Sequence, residues 1–208
     1  WKTLLDRGVV GVPPESGEAA CGDVGRGRLA RLEAVLAPTL RALAPNDLEG
    51  RKILITFGPT REWFDSARYW SNPSTGRMGA CLALAAWLRG AEVTAVCGPH
   101  DFWLPDGIRR IDVDTAVQMD EACRDLWPDM DAGCLTAAVA DYRPEPCAQA
   151  KLKKRDAPDG FDLRFNPNPD ILRSLGQDKK PGQVLVGFAA EAENLEDNAA
   201  AKLESKNL

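Results

Sequence analysis

The chain has 208 residues, of which 44% are hydrophobic and 27% charged, and it carries a formal net charge of −5 at pH 7. This composition is typical of a soluble globular protein, and the acidic balance argues against a general nucleic-acid binder, which presents a basic face. No apolar run reaches the length of a membrane-spanning helix, about 18 residues, so we expect no membrane segment.

The six cysteines form no Cys-x-x-Cys pair, and several lie within apolar runs. Free cysteine behaves there as a small hydrophobic residue, so we expect a reducing cytoplasm, no zinc site and no disulfide framework. The one histidine, His100, follows Gly98-Pro99 and has no evident partner, which argues against nucleophilic catalysis through histidine. The chain lacks an initiator methionine, and we expect it to be part of a longer gene product.

Residues 1–28 are rich in glycine and short polar side chains, which predicts an irregular loop. Leucine and valine then recur at helical spacing over residues 29–36, and Pro38 is expected to end that helix. Residues 44–50 are predicted to form a linker to the remainder of the chain.

From Arg51 onward the pattern changes to alternating strands and helices. Strands are predicted at residues 52–57, 92–97, 108–113, 134–140 and 184–188. The first helix between them is predicted to bury one face, made of Met78, Cys81, Leu82, Ala85 and Leu88. Further helices are predicted over residues 116–126, from about Pro169, which would occupy the first helical position, and from Asn194.

This alternation predicts an α/β fold: a three-layer, Rossmann-like, mostly parallel sheet with right-handed crossovers. Residues 151–153 and 161–165 both alternate around the turn residues 157–160, which predicts an inserted β-hairpin. Ligands in such sheets bind beyond the carboxyl ends of the strands. The polar clusters of this chain follow strands, so we expect them to converge there.

The loop over residues 58–76 is about four times as long as a usual connection, which suggests a function. It ends in Asn72-Pro73-Ser74-Thr75-Gly76 directly before a helix, where backbone N–H groups and the helix dipole can hold phosphate oxygens. The alternative is that Ser74 or Thr75 only caps the helix. A dinucleotide fingerprint does not fit, because only Gly76-x-x-Gly79 is present and no acidic residue follows the second strand, so NAD binding is not expected.

Asp141 ends a predicted buried strand, where a carboxylate can face a ligand cleft and bind a ribose, a base amine or a metal. The alternatives are a helix cap and a salt bridge to Arg143, and we favour a site role because Pro144 prevents a following helical turn. Lys151 begins a run with four cations in five residues. Such a run either forms a solvated face or supplies one lysine whose mobile positive charge stabilises a phosphoryl transition state.

The last candidates lie towards the C-terminus. Asn168-Pro169-Asp170-Ile171 is typical of a turn that leads into a helix. Phe188 ends a strand, where it either packs on a base or fills the core. Lys202 and Lys206 share one helical face, which either contacts phosphate or is solvated. Amide, lysine and backbone N–H groups together suit a phosphoryl or acyl-phosphate transition state.

An ordered series of motifs, extending from about residue 51 to residue 208, resembles the phosphopantothenoylcysteine synthetase domain. The motifs are Thr56-Phe57-Gly58-Pro59-Thr60-Arg61-Glu62, Asp65-x-x-Arg68-Tyr69-x-Ser71-Asn72-x-Ser74-Thr75-Gly76-Arg77-Met78-Gly79, residues 137–143, Lys151-x-Lys153-Lys154, Asn168-Pro169-Asp170-Ile171, Gly187-Phe188-Ala189-Ala190-Glu191, and Lys202 with Lys206-Asn207-Leu208.

Residues 1–49 resemble the tail of the flavin-dependent decarboxylase that bacteria fuse upstream of this synthetase, and residues 15–28 resemble its substrate-covering flap. The resemblance makes Cys21 the proton donor of that enzyme. The FMN-binding body is absent, so this chain alone is expected neither to bind FMN nor to decarboxylate. The implied domains are a decarboxylase remnant at 1–49 and a C-terminally incomplete synthetase domain at 50–208.

The resemblance implies a cytoplasmic ligase of coenzyme A biosynthesis that joins 4′-phosphopantothenate to L-cysteine, with CTP, through an acyl-cytidylate. Asn72 would stabilise this intermediate and Lys151 would neutralise charge on the α-phosphate. The nucleotide pocket would comprise Asp141, Asn168, Pro169, Asp170, Ile171 and Phe188, with Lys202 and Lys206 at the triphosphate. Mg²⁺ is expected with the triphosphate. The family also implies a homodimer, and a higher oligomer in the fused parent.

Some positions depart from the family pattern and change the stiffness and bulk of the long loop. Trp63-Phe64 stands in place of Pro and a β-branched residue, Ser66 in place of Pro, Pro73 in place of His or Arg, and Arg77 in place of Lys. Two alternative functions remain: a Rossmann-like NAD(P)-dependent reductase, and an inactive fragment that only helps to assemble the fused enzyme.

Overall fold

The computed structural model describes residues 1–18, 22–145, 150–156, 158–189 and 194–208. In chain order the elements are α1 (Lys2–Asp6), β1 (Glu15–Glu18), β2 (Val24–Arg28), α2 (Leu32–Leu43), β3 (Lys52–Phe57), β4 (Glu62–Trp63), β5 (Tyr69–Trp70), α3 (Arg77–Leu88), β6 (Glu92–Cys97), β7 (Arg109–Asp112), α4 (Ala116–Leu126), β8 (Ala132–Leu135), β9 (Tyr142–Pro144), β10 (Phe165–Pro167), α5 (Ile171–Gln177), β11 (Val184–Gly187) and α6 (Leu195–Ser205). None of the described helices is both long and apolar enough to cross a membrane.

A five-stranded parallel sheet forms the centre of the molecule, with strand order β11-β8-β3-β6-β7. The last four residues of β3 are buried, as expected for a strand covered on both faces. Ile55 and Phe57 pack in one core with Trp87 of α3, whereas Leu54 packs in a second core with Met119 of α4. The predicted three-layer α/β architecture is therefore confirmed.

The strand order reverses between β3 and β8. From β3 the chain passes through α3 to β6 and then β7, and it returns through α4 to β8 on the other side of β3. Ligands of open α/β sheets bind beyond the carboxyl ends of the strands at such a reversal. The segments that follow β3 and β8 are therefore where this fold positions a site.

The buried face of α3 differs from the predicted one. Its buried residues are Gly79, Ala80, Ala83 and Trp87, whereas Met78 is 57% exposed. An added Cβ at Gly79 would overlap the side chains of Phe57 and Thr136. Close approach of the helix axis to the sheet therefore rests on Gly79, Ala80 and Ala83, whereas the large Trp87 ring is buried in the first core near the end of the helix.

The N-terminal part is more regular than predicted. Strands Glu15–Glu18 and Val24–Arg28 form an antiparallel pair, and Arg31 donates to the Glu15 carboxylate at 2.9 Å. Helix α2 continues through Pro38. The prediction that Pro38 ends it is wrong because contacts beyond the proline hold the helix. Ala37 packs in the first core, and the Arg41 guanidinium donates to the carbonyl groups of Trp87 and Gly90.

The predicted hairpin between residues 151–153 and 161–165 does not form. Residues 151–153 and 161–164 lie outside any strand, and only Phe165 of the predicted second arm belongs to β10, which pairs with β9. The ring of Phe165 on β10 packs edge-on against the ring of Trp70, with the two ring centroids 5.5 Å apart. This apolar contact favours the observed pairing, whereas alternating lysines offer no apolar face.

Two predicted boundaries also shift. Strand β8 covers Ala132–Leu135, and the apolar residues after it pair only irregularly, through a bridge between Pro59 and Ala138. Helix α5 begins at Ile171 with Asp170 as its N-cap, because the Asp170 carboxylate accepts from the Arg173 N–H at 3.1 Å. Pro169 therefore precedes the cap rather than occupying the first helical position.

Replacing Gly79 with alanine tests the close packing of α3. The added methyl group would collide with the Cβ of Phe57, which cannot move independently of the backbone. We expect a net loss of about 1 kcal/mol or more in the free energy of unfolding, because overpacking outweighs the gain in helix propensity. Urea denaturation measures it. Gly25→Ala, where the methyl group meets open space, is the control, and equal losses in the two variants would contradict the packing argument.

Candidate functional site

The segment that follows β8 is where several predicted site residues meet. Asn72 donates from Nδ2 to the carbonyl of Val139 at 3.0 Å, and Asn168 donates from Nδ2 to the carbonyl of Ala140 at 2.8 Å. The backbone N–H of Asn168 also donates to the carbonyl of Asp141 at 2.8 Å. Three candidates from separate parts of the sequence therefore surround one strand end at the reversal of strand order.

Thr60 joins the long loop to the same strand end, and its role was not predicted. Its Oγ1 accepts from the N–H of Ala140 at 3.1 Å, and its carbonyl accepts from Oγ of Ser71 at 2.7 Å. The Thr60 side chain is fully buried. Because Ser71 precedes Asn72, these bonds fix the backbone from which the Asn72 amide projects.

Residues Ser74 to Gly76 form the entry to α3. Gly76 is the N-cap, with φ +76°, so neither hydroxyl residue occupies the cap position. Ser74 Oγ accepts from the Gly76 N–H at 3.2 Å, and Thr75 Oγ1 accepts from the Arg77 N–H at 3.4 Å. A Cβ on Gly76 would lie 3.0 Å from the backbone nitrogen of Gly58. The start of α3 is therefore held against the end of β3.

Asp141 is exposed in the segment that follows β8. Its alternative partner, Arg143, instead donates to the carbonyl of Pro167 at 2.7 Å and to Oδ1 of Asn168 at 3.0 Å. These bonds hold β9 and the turn before α5 together. The described contacts include no ion pair of the Asp141 carboxylate, which leaves it accessible to a ligand.

Lys151 is exposed in an irregular segment, next to a contact that the sequence did not reveal. The N–H of Leu152 donates to the buried carboxylate of Asp65 at 3.1 Å, and Arg68 donates to the Leu152 carbonyl at 3.1 Å. Hydrogen bonds from Arg68 lower the pKa of Asp65 well below its ordinary value, although burial acts in the opposite direction. Asp65 is therefore a carboxylate at neutral pH.

Asp170 and Lys206 form an ion pair with an Nζ–O distance of 2.9 Å. Burial acts to raise the pKa of Asp170, but the hydrogen bonds from Lys206 and from the Arg173 N–H outweigh it, and the pKa is lowered. Lys202 lies one turn earlier on α6 and is half-buried. The C-terminal helix is thus attached to the N-terminus of α5.

Two other predicted pocket residues differ in exposure. Phe188 is 49% exposed beyond the end of β11 and does not fill the core. Ile171 is buried in the second core, so only its backbone can contact a ligand. Cys21, the predicted proton donor, lies outside the described residues, as do Ala190 and Glu191 of the motif that follows β11.

Among the described residues, Cys97, His100 and Asp112 bring ligand atoms within 4.8 Å of one another. The group suits a metal ion poorly. Nδ1 of His100 accepts from the Phe102 N–H at 3.0 Å, which leaves the proton of the neutral ring on Nε2. Asp112 is paired with Arg110 at 2.6 Å, and burial raises the pKa of the Cys97 thiol to about 12.

The fold is that of a three-layer, Rossmann-like α/β protein, with polar candidate residues gathered on the segment after β8, where the strand order reverses. Residues 48–208 match the profile of the family described as DNA/pantothenate metabolism flavoprotein, C-terminal domain, and the chain belongs to this family.

Two bacterial proteins similar to this chain carry the same name. The chain is 42% identical over 207 residues to the coenzyme A biosynthesis bifunctional protein CoaBC of Vibrio cholerae, covering 100% of this chain and 52% of that protein. It is 45% identical over 208 residues to CoaBC of Vibrio parahaemolyticus, covering 99% and 52%. The chain therefore spans about half the length of the curated relatives it matches. A crystal structure of the C-terminal domain of CoaBC matches with a TM-score of 0.68 and 40% identity, covering 78% of this chain and 76% of that one.

Replacing Lys206 with methionine tests the ion pair with Asp170. The pKa of Asp170 should rise towards its ordinary value of 3.8, as followed by NMR titration of the carboxyl carbon. Because the folded-state pKa is depressed, the pair stabilises the fold above pH 3.8, and this contribution is lost as the pH falls through the folded value.

The difference in the free energy of unfolding between wild type and Lys206→Met should therefore be constant from about pH 5 to 7 and shrink in stronger acid. We expect this difference in the free energy of unfolding to be no more than about 1 kcal/mol, because solvent partly screens the carboxylate. Lys153→Met, at an exposed lysine outside this pair, is the control. A pH-independent difference would contradict the assignment.

Proposed function

We propose that the chain has phosphopantothenate–cysteine ligase activity, joining 4′-phosphopantothenate to L-cysteine with CTP through an acyl-cytidylate. The observation that supports it most directly is the convergence of Asn72, Asp141 and Asn168 on one strand end at the strand-order reversal. Membership of the pantothenate-metabolism family and the similarity to CoaBC proteins support the substrate class.

The first half-reaction requires charge neutralisation. A carboxylate oxygen of 4′-phosphopantothenate attacks the α-phosphorus of CTP, the bond to the bridging oxygen breaks, and pyrophosphate leaves. Negative charge grows on the oxygens around the α-phosphorus. Lys151 is exposed on a flexible stem and brings a compact ammonium charge to these oxygens. Its removal would raise the barrier of this step.

The second half-reaction requires an oxyanion donor. The cysteine amine attacks the acyl carbon, a C–N bond forms as the C–O bond to the cytidylate breaks, CMP leaves, and the amine proton passes to solvent. An amide nitrogen has two hydrogens. The bond of Asn72 Nδ2 to Val139 uses one and orients the group, and the second hydrogen donates to the developing oxyanion.

The nucleotide pocket divides into contacts and scaffold. The exposed Asp141 carboxylate accepts from a ribose hydroxyl or base amine, and the exposed Phe188 ring stacks on the base. Both polar atoms of the Asn168 side chain are hydrogen-bonded: Nδ2 donates to the carbonyl of Ala140, and Oδ1 accepts from Arg143. Its role in the proposal, with Pro169 and Ile171, is to shape the turn.

The triphosphate would lie near Lys202 and Lys206. Lys206 exchanges the Asp170 carboxylate for phosphate oxygens in this proposal, because both compete for one ammonium group. Ser74, Thr75 and the N–H groups that follow Gly76 at the start of α3 add neutral donors in this proposal.

A bound Mg²⁺ ion would neutralise part of the triphosphate charge. Such an ion prefers oxygen ligands and retains several waters, and the exposed carboxylate of Asp141 fits that preference. FMN and Cys21 belong to the decarboxylase half of the proposal, of which this chain contains only residues 1–49. A homodimer, a higher oligomer in the fused protein and a cytoplasmic location complete the proposal.

Ligand titration and product analysis test the activity. With the gene product that contains this chain, we expect saturable CTP binding, no comparable NAD(P)H binding, and CMP release that depends on 4′-phosphopantothenate, cysteine and Mg²⁺. Isothermal titration and chromatographic detection of CMP measure these quantities. Tight NAD(P)H binding would favour the reductase alternative, and absence of CMP release would favour the inactive assembly fragment.

Two substitutions separate the half-reactions. Asn72→Asp removes the oxyanion donor, so CMP release should slow by about 10²–10³-fold while pyrophosphate release persists as a burst. Lys151→Gln removes the charge needed earlier, so both products should be lost. Lys154→Gln, at a neighbouring exposed lysine, is the control. If Asn72→Asp and Lys151→Gln release both products at the wild-type rate, the assigned roles are wrong.

A further inference from the structure

We propose that Asp65 is a positioning residue that sets the location of Lys151, acting with Arg68 through the backbone of Leu152. This inference rests on the proposed function, because it concerns how the lysine of the first half-reaction is placed. Asp65 is distant from Lys151 in sequence, because it lies 87 positions before Leu152, the residue that follows Lys151.

Asp65 is the centre of a hydrogen-bonded cluster. Its side chain is 0% exposed. Oδ1 accepts from the N–H groups of Ala67 and Arg68, each at 2.8 Å, and Oδ2 accepts from Nε of Arg68 at 2.9 Å and from the N–H of Leu152 at 3.1 Å. The carboxylate therefore organises its own turn and also reaches a distant segment.

Arg68 completes a two-point attachment of Leu152. Its Nη2 donates to the Leu152 carbonyl at 3.1 Å, while the Leu152 N–H donates to Asp65. We call this pair of bonds the Leu152 clamp. The guanidinium lies over the rings of Phe64 and Phe161, 5.2 and 5.9 Å from their centroids. These contacts restrict the guanidinium, so the clamp fixes both polar groups of one residue.

The clamp acts on Lys151 because the two residues share a peptide plane. The bond between Lys151 and Leu152 includes the N–H that Asp65 holds, so fixing that plane fixes the direction in which the lysine backbone runs. Lys151 and Lys153 are exposed and lie outside any helix or strand. A four-carbon side chain attached to a mobile segment would sample many positions, and a misplacement of about 1 Å can cost about 10²-fold in rate.

The placement of Asn72 does not depend on the clamp. Asn72 is held by its own bond to Val139, and its backbone is held through Ser71 and Thr60. Loss of the clamp should therefore affect the half-reaction that uses Lys151 and spare the one that uses Asn72. A general loss of fold would slow both.

Hydrogen exchange on the wild-type protein tests whether the clamp exists in solution. We expect the N–H of Leu152 to exchange at least about tenfold more slowly than those of Lys151 and Lys153, for which the described contacts give no hydrogen bond. Asp65→Asn should remove most of that protection. Equal exchange at the three positions in the wild type would overturn the inference without any variant.

Half-reaction kinetics test the positioning role. In the gene product that contains this chain, Asp65→Asn should slow pyrophosphate release at saturating CTP by at least about tenfold and change the half-saturating CTP concentration by less than about threefold. Conversion of preformed acyl-cytidylate to CMP should stay within about twofold of wild type. This preserved second step also shows that the variant is folded.

Glu62→Gln is the matched control, because Glu62 is a buried carboxylate of the same loop that accepts from the Ala116 N–H at 2.9 Å and does not contact Leu152. Its ratio of first-step to second-step rates should match the wild type. If Asp65→Asn leaves pyrophosphate release within about twofold of wild type, or slows both steps equally, Asp65 does not position Lys151. If the wild type itself releases no pyrophosphate, the proposed function fails, whereas protection at Leu152 still reports the clamp.

Discussion

The pairing of two chain segments beyond the ends of their strands is the constraint on which the site depends. At the end of β3 and beyond it, the N–H of Thr136 donates to the carbonyl of Thr56, that of Ala138 donates to the carbonyl of Gly58, and that of Thr60 donates back to the carbonyl of Ala138. This irregular ladder brings the start of the long loop beside the segment that leads to Asp141. The amide of Asn72 and the turn at Asn168 then bond to carbonyl groups of the same segment, so both depend on its position.

Much of the fold was predictable, because strands buried on both faces and helices with defined ends have local signatures. The strands at 52–57 and 92–97 and the helix over residues 116–126 are examples. Side-chain size misled the prediction where close approach mattered, since α3 faces the sheet with Gly79 and Ala83. Both arms of the hairpin were mispredicted because pairing depends on ring packing between distant residues, here Phe165 and Trp70.

The site was predictable in its polar clusters but not in its internal connections. Segments that follow strands of a parallel sheet share one edge, and Asn72 meets the segment that leads to Asp141 there, whereas Asn168 reaches it from the separate β9–β10 pair. The contact of Asp65 with Leu152 had no such signature, because a backbone N–H donor looks the same at every position of a sequence. Only the folded chain shows which backbone group a buried carboxylate accepts from.

The close approach of Gly76 to Gly58 has a consequence for how this protein can diverge. A Cβ on Gly58 would lie 2.9 Å from the carbonyl oxygen of Gly98, so backbone meets backbone where β3 and β6 end. Bulk cannot enter there without moving α3 or the segment that follows β6. The part of the long loop that holds Trp63 and Phe64 makes side-chain contacts instead: Trp63 donates to Asp114, and Phe64 packs near Phe161. Sequence differences among such proteins are therefore expected to accumulate in that part of the loop, over an inner backbone contact of constant shape.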